Sequence, residues 1–125
     1  MGEHIQWVTH KGKRMLFVNC ARLGESEILA SFEEMKHELL KERSGPIVLI
    51  DISDIDMTTA LISKAKELTA ATKDAGIKDG PNAIVGLTGL QKAVAQLFGR
   101  GVHFADSLEE AKDWLVKEDD KRQKR

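Results

Sequence analysis

A single cysteine, two prolines, two tryptophans and four phenylalanines without one tyrosine, and almost no net charge set this chain of 125 residues apart by what it is short of. One cysteine, Cys20, excludes an internal disulfide and fits a reducing cytoplasm. No base stands beside it in sequence, so it reads as a small buried hydrophobe at the end of a strand and not as a nucleophile. Nineteen basic residues against twenty acidic ones leave a formal charge of −1. No global field then draws the chain to nucleic acid or to an anionic membrane. No apolar run approaches the roughly 20 residues of a spanning helix, and no basic stretch followed by an apolar run opens the chain. A soluble, cytoplasmic protein without stable membrane insertion is expected.

What is present is enough for one ordinary core. Hydrophobic residues make up 42% and charged residues 31%, the balance of a globular domain that folds without disulfides or a structural metal. His4 to Val8 and Arg14 to Cys20 are β-rich, and His10-Lys11-Gly12-Lys13 between them carries the glycine a tight reversal needs, which predicts a hairpin. Ile28, Leu29, Phe32, Met35, Leu39 and Leu40 recur at steps of three and four, one stripe of a helix that Ser26 can cap and Gly45 and Pro46 can end. Ile47 to Ile52 is apolar almost without alternation, as in a strand covered on both faces. Leu61, Ala65, Leu68, Thr72 and Ala75 mark the buried line of the next helix, which Gly76 stops. A strand from Ala83 to Leu87 follows, then a capping box over Thr88 to Gln91 and a helix to Phe98. Gly99-Arg100-Gly101 breaks that helix, Val102 to Phe104 forms a last short strand, and Asp106-Ser107-Leu108-Glu109-Glu110 opens a final helix running to about Lys117. The predicted domain is 1–117, with 118–125 a charged, flexible, solubilising tail. The order β-β-α-β-α-β-α-β-α predicts an α/β fold, a single-layer, mostly parallel sheet with an antiparallel N-terminal edge hairpin.

No catalytic constellation emerges from the residues, and no cofactor is implied. His4, His10, His37 and His103 offer no i, i+4 pair, and no serine stands in Gly-x-Ser-x-Gly. Asp51, Ser53, Asp54 and Asp56 supply the oxygens a hard cation takes, but their spacing along a turn does not force convergence, so a solvated, capping loop is the plainer reading. Gly86, Thr88, Gly89 and Lys92 lie between a strand and a helix start, the context of an anion-binding loop, with Arg100 nearby. They lack the spacing of nucleotide-binding loops, and a structural turn explains them as well. Thr58 and Thr59 stand at a helix start, where one can serve as N-cap and where the helix dipole favours an added phosphate.

The run Ile84-Val85-Gly86-Leu87-Thr88-Gly89-Leu90-Gln91-Lys92, followed by Gly99-Arg100, Phe104 and Glu109-Glu110-Ala111-Lys112-Asp113-Trp114-Leu115, resembles the SpoIIAA-like group of the STAS superfamily. These are small bacterial domains also compared with the CRAL-TRIO lipid-transfer fold. The resemblance spans roughly residues 4 to 116. Anti-sigma-factor antagonists of this superfamily carry Asp-Ser-Ser/Thr-Gly at the start of the helix after the central strand, and phosphorylation of a hydroxyl there switches partner binding. Here that place reads Asp56-Met57-Thr58-Thr59-Ala60, with the acidic residue displaced by one position and alanine in place of glycine.

The resemblance implies a non-enzymatic regulatory module that meets a protein partner, such as an anti-sigma-type kinase, through Asp54, Asp56, Met57, Thr58, Thr59 and Leu61. Thr58 or Thr59 would be the phosphorylated hydroxyl. The lipid-transfer comparison implies a second reading, a carrier or sensor of a small apolar ligand held by Leu61, Ile62, Leu68, Leu90, Val94, Leu97 and Phe98; core packing explains the same stripes. A homodimer through hairpin residues such as Trp7 and Phe17 is a further expectation.

Overall fold

The computed structural model describes residues 4–42, 45–77, 80–87 and 102–123. Strands β1 (Ile5–His10) and β2 (Lys13–Asn19) lead into helix α1 (Glu25–Lys41), strand β3 (Ile47–Asp51), helix α2 (Thr59–Asp74), strands β4 (Asn82–Val85) and β5 (Val102–Ala105), and helix α3 (Leu108–Gln123). The five strands form one sheet in the order β1-β2-β3-β4-β5. β1 runs antiparallel to β2, and every other neighbouring pair is parallel. The expected α/β architecture with its antiparallel edge hairpin is therefore present. The helix expected over Thr88 to Phe98 lies outside the described residues.

The hairpin turns on Lys11 and Gly12, both with positive φ (50° and 80°), the pair of left-handed residues that a two-residue turn between twisted strands requires. Side-chain alternation along the strands then divides the core. Leu16, Val18, Val48, Ile50 and Ile84 point to one face, where they pack with Ile28, Phe32 and Met35 of α1 and Leu61 and Leu68 of α2. Met15, Ile47, Leu49, Ala83 and Val85 point to the other, under Ala111, Leu115 and Val116 of α3. The unbroken apolar run of β3 is explained by this: both of its faces are covered.

Two helix boundaries differ from expectation. α1 begins at Glu25 with Gly24 as an extended cap and no side-chain cap bond, so Ser26 lies inside the first turn and Glu25 and Glu27 supply the negative charge there. α3 does not stop near Lys117. It continues to Gln123 because Asp119, only 4% exposed, is gripped by Lys13 of β2 at 3.0 Å and by Arg122 of its own helix. Arg122 also donates to the Gly45 carbonyl at 2.6 Å. The segment read as a flexible tail thus docks its first turns, and its charge is what docks it. Burial alone would raise the Asp119 carboxyl, but hydrogen bonds from Lys13 and Arg122 outweigh it and hold the group below its ordinary value.

Candidate functional site

The sheet pairing continues beyond the carboxyl ends of β2, β3 and β4, and this extension builds the candidate site. Cys20 N–H donates to the Asp51 carbonyl, Arg22 N–H to the Ser53 carbonyl, and Ile52 N–H to the Val85 carbonyl. Three adjacent segments, 20–22, 51–53 and 85–86, therefore form a ledge from which the loop to α2 departs.

Each residue of that loop has an identifiable task. Asp51 turns its carboxylate back on its own chain, accepting from Ser53 N–H at 3.0 Å and Ser53 Oγ at 2.7 Å. This locks the turn, as aspartate does where its side chain substitutes for the next backbone bond. Asp54 follows with φ of 56°, exposed, its carboxylate 3.7 Å from the equally exposed guanidinium of Arg22. Ile55 is buried and anchors the loop to the core, while Asp56 is exposed and Met57 packs partly against the same core. Thr58 is the N-cap of α2: its Oγ1 accepts from Leu61 N–H at 3.3 Å. Thr59, the first helical residue, is exposed.

Of the residues expected to meet a partner, Asp54, Asp56 and Thr59 stand on the surface, and Met57 and Thr58 are half-buried. Leu61 is not on that surface. It is 1% exposed, within the core beneath α2, because an N-cap at Thr58 turns the third residue of the helix inward. Among the carrier residues, Leu61 and Leu68 are both core, Ile62 is half-buried, and Leu90, Val94, Leu97 and Phe98 lie outside the described residues.

The acidic set does not converge. Asp51 is engaged internally, Asp54 faces Arg22, and Asp56 points to solvent. Among the described residues no three His, Cys, Asp or Glu side chains gather as a metal-holding group. Cys20 is fully buried, and that burial pushes its thiol up to about 11, the opposite of activation.

Gly86 belongs to the ledge for a steric reason. Its φ is +96°, and a Cβ there would lie 2.2 Å from Ser53 Oγ and 2.5 Å from Ser53 Cα. It lets the end of β4 pass against the Ser53 turn, so its presence does not require an anion. Thr88, Gly89, Lys92 and Arg100 of the expected anion loop lie outside the described residues. Sequence reasoning missed Arg22, whose left-handed backbone (φ 60°) sets it beside Asp54. No local signal marks it, since the β2–β3 pairing alone brings the two together.

No protein-family profile and no curated protein matches the chain. A solved structure does. An uncharacterised protein from the DUF3478 family with a SpoIIAA-like fold, from Shewanella loihica PV-4, aligns with a TM-score of 0.61 at 22% identity, covering 89% of this chain and 91% of that one. Identity at that level speaks to architecture, and this chain has the SpoIIAA-like fold.

Proposed function

We propose that this protein is a non-enzymatic, cytoplasmic regulatory module of the anti-sigma-factor-antagonist type. It recognises a protein partner through the loop from Asp54 to Thr59, and phosphate on Thr59 gates that contact. The observation that carries the reading is the division of labour between two adjacent hydroxyls. Thr58 is committed as the cap of α2, half-buried and accepting from Leu61 N–H, while Thr59 is exposed at the helix start. A phosphate on Thr59 would sit where unpaired N–H groups and the helix dipole favour a dianion, and it would leave the cap intact. The neighbouring Asp54 and Asp56 are exposed on the same surface, so a phosphate added beside them concentrates negative charge there and repels a partner fitted to the unmodified loop.

The test is phosphorylation by an anti-sigma-type serine kinase with ATP, followed by peptide mass spectrometry, together with binding of that kinase to wild type, Thr59→Ala and Thr59→Asp. Phosphate on Thr59 and at least about tenfold weaker binding by Thr59→Asp than by Thr59→Ala are expected. No phosphate transfer, or equal binding by the two variants, overturns the gate. Cross-links from a bound partner that avoid residues 54–60 overturn the surface.

A further inference from the structure

We infer that the outer edge of β1 is a self-association surface, on which a second copy of this chain adds its own β1 antiparallel about a two-fold axis through Trp7. Asn19 N–H donates to the His4 carbonyl at 2.8 Å, which makes His4 and Asn19 a directly bonded pair in a ladder whose register runs Ile5↔Val18 to His10↔Lys13. Bonded pairs recur at every second residue of an antiparallel ladder. Gln6, Val8 and His10 therefore spend their backbone groups on β2, while the N–H and C=O groups of Ile5, Trp7 and Thr9 point away from the sheet. No described residue takes them up.

An edge of this kind is ordinarily blunted by lysine, proline, a bulge or an inward charge. Ile5-Gln6-Trp7-Val8-Thr9-His10 contains no lysine, proline, arginine or carboxylate, and its pairing with β2 runs without a skipped residue. The side chains along it are prepared for contact. Trp7 is half-buried and already held, with its Nε1–H on Glu38 at 3.1 Å and the Arg14 guanidinium 3.8 Å over its ring. Arg14 is fixed in turn by Glu42 at 3.0 Å.

A second copy fits this edge in one register. Free groups meet free groups only when odd-numbered residues face odd-numbered residues. Among such registers, the two-fold axis through Trp7 joins the most: Ile5 bonds Thr9 of the second copy, Trp7 bonds its own counterpart, and Thr9 bonds Ile5. Moving the axis to Val8 loses the central pair. The Trp7 register also sets the two indoles against each other on the α1 face and Gln6 against Val8 on the other, with no like charges opposed within the strand. The sheet becomes continuous through the axis, an isologous dimer with both β1 edges closed. This surface lies at the sheet edge, apart from the β3–α2 loop, and does not depend on how that loop acts.

Sedimentation equilibrium of the full chain at up to about 100 µM is expected to give a reversible dimer. Thr9→Pro removes an outward N–H without touching a β1–β2 bond, and proline is tolerated at such edge positions. It should raise the dimer dissociation constant at least about tenfold, while Thr9→Val, which keeps the N–H, should not. Independently of how Thr9→Pro folds, Gln6→Cys combined with Val8→Cys should oxidise to a chain-to-chain disulfide, because the register sets those positions opposite each other. A monomer at all concentrations, a dimer indifferent to Thr9→Pro, or a dimer that resists the cross-link overturns the inference. So does a monomer whose β1 edge pairs only with an added extended peptide.

Discussion

Gly86 and Thr58 show how single residues set the β3–α2 junction. Replacing Gly86 by alanine drives a Cβ into the Ser53 turn at a backbone angle of +96°, which combines steric overlap with left-handed strain. A loss of about 3 kcal/mol in urea unfolding is expected. Thr58→Ala removes the only side-chain acceptor for Leu61 N–H among the described residues and should cost about 1 kcal/mol, whereas Thr59→Ala at the exposed neighbouring position should stay within about 0.5 kcal/mol. That contrast, read from two unfolding curves, separates the structural hydroxyl from the available one. Cys20 was legible as buried from its place at a strand end. With its thiol up at about 11, only about one molecule in a thousand is thiolate at pH 8, so a thiol reagent should label the native protein only as fast as it opens. The need for glycine at 86 was not legible in the same way, because the obstacle to a side chain there comes from Ser53, in the turn after β3 and far away in the chain.

At the scale of the element, α3 is the helix whose attachment was most misread. The expected helix holds as far as Lys117, where Asp113 is kept at about 2 by His10 and Lys11 of the hairpin turn and Trp114 stacks on His103 with ring centres 4.5 Å apart; the charged turns after it, expected to fray, are tied down as well. Lys13 reaches both Asp119 at 3.0 Å and Asp120 at 3.1 Å. Burial distinguishes the two acceptors. Asp119→Ala strands Lys13 and Arg122 beside a buried gap and should cost about 2 kcal/mol, while Asp120→Ala, at an exposed position, should cost under about 0.5 kcal/mol. Chemical denaturation of the two variants checks this. α1 and α2 are bridged in a comparable way: Lys64 and Lys36 each contact both Glu33 and Glu67, and hydrogen bonds from Lys64 and then Lys36 hold Glu33 at about 2. Periodicity located these helices because core burial imposes a repeat of three and four. It was silent on ion pairs whose partners lie on other elements.

Across the whole molecule, these pairs set the response to pH. Glu33 and Asp113 at about 2, and Glu38, Glu67, Glu110 and Asp119 below their ordinary values, hold protons less tightly folded than unfolded, where carboxylates titrate near 4. On acidification the unfolded chain takes up protons first, so the stabilisation present above about pH 5 is lost progressively toward pH 2. On the alkaline side Cys20, Lys13 and Lys64 are raised, and their contribution is lost as pH climbs from about 9 through their folded values. Urea midpoints measured from pH 2 to 11 should form a plateau between about 5 and 9 with a fall on each side; a midpoint rising below pH 4 would contradict the assignment. The plan of the molecule, strands alternating with helices behind an antiparallel hairpin, was encoded locally, since each element carries its own burial pattern and its own turn residues. The use of the surface was not. Leu61 left the partner face for the core, Arg22 joined Asp54, residues 118–123 of the charged tail became the last turns of α3, and among the described residues one row of β1 backbone groups has no partner. Each of these depends on which segment lies alongside, a relation between residues far apart in the chain that no local pattern carries.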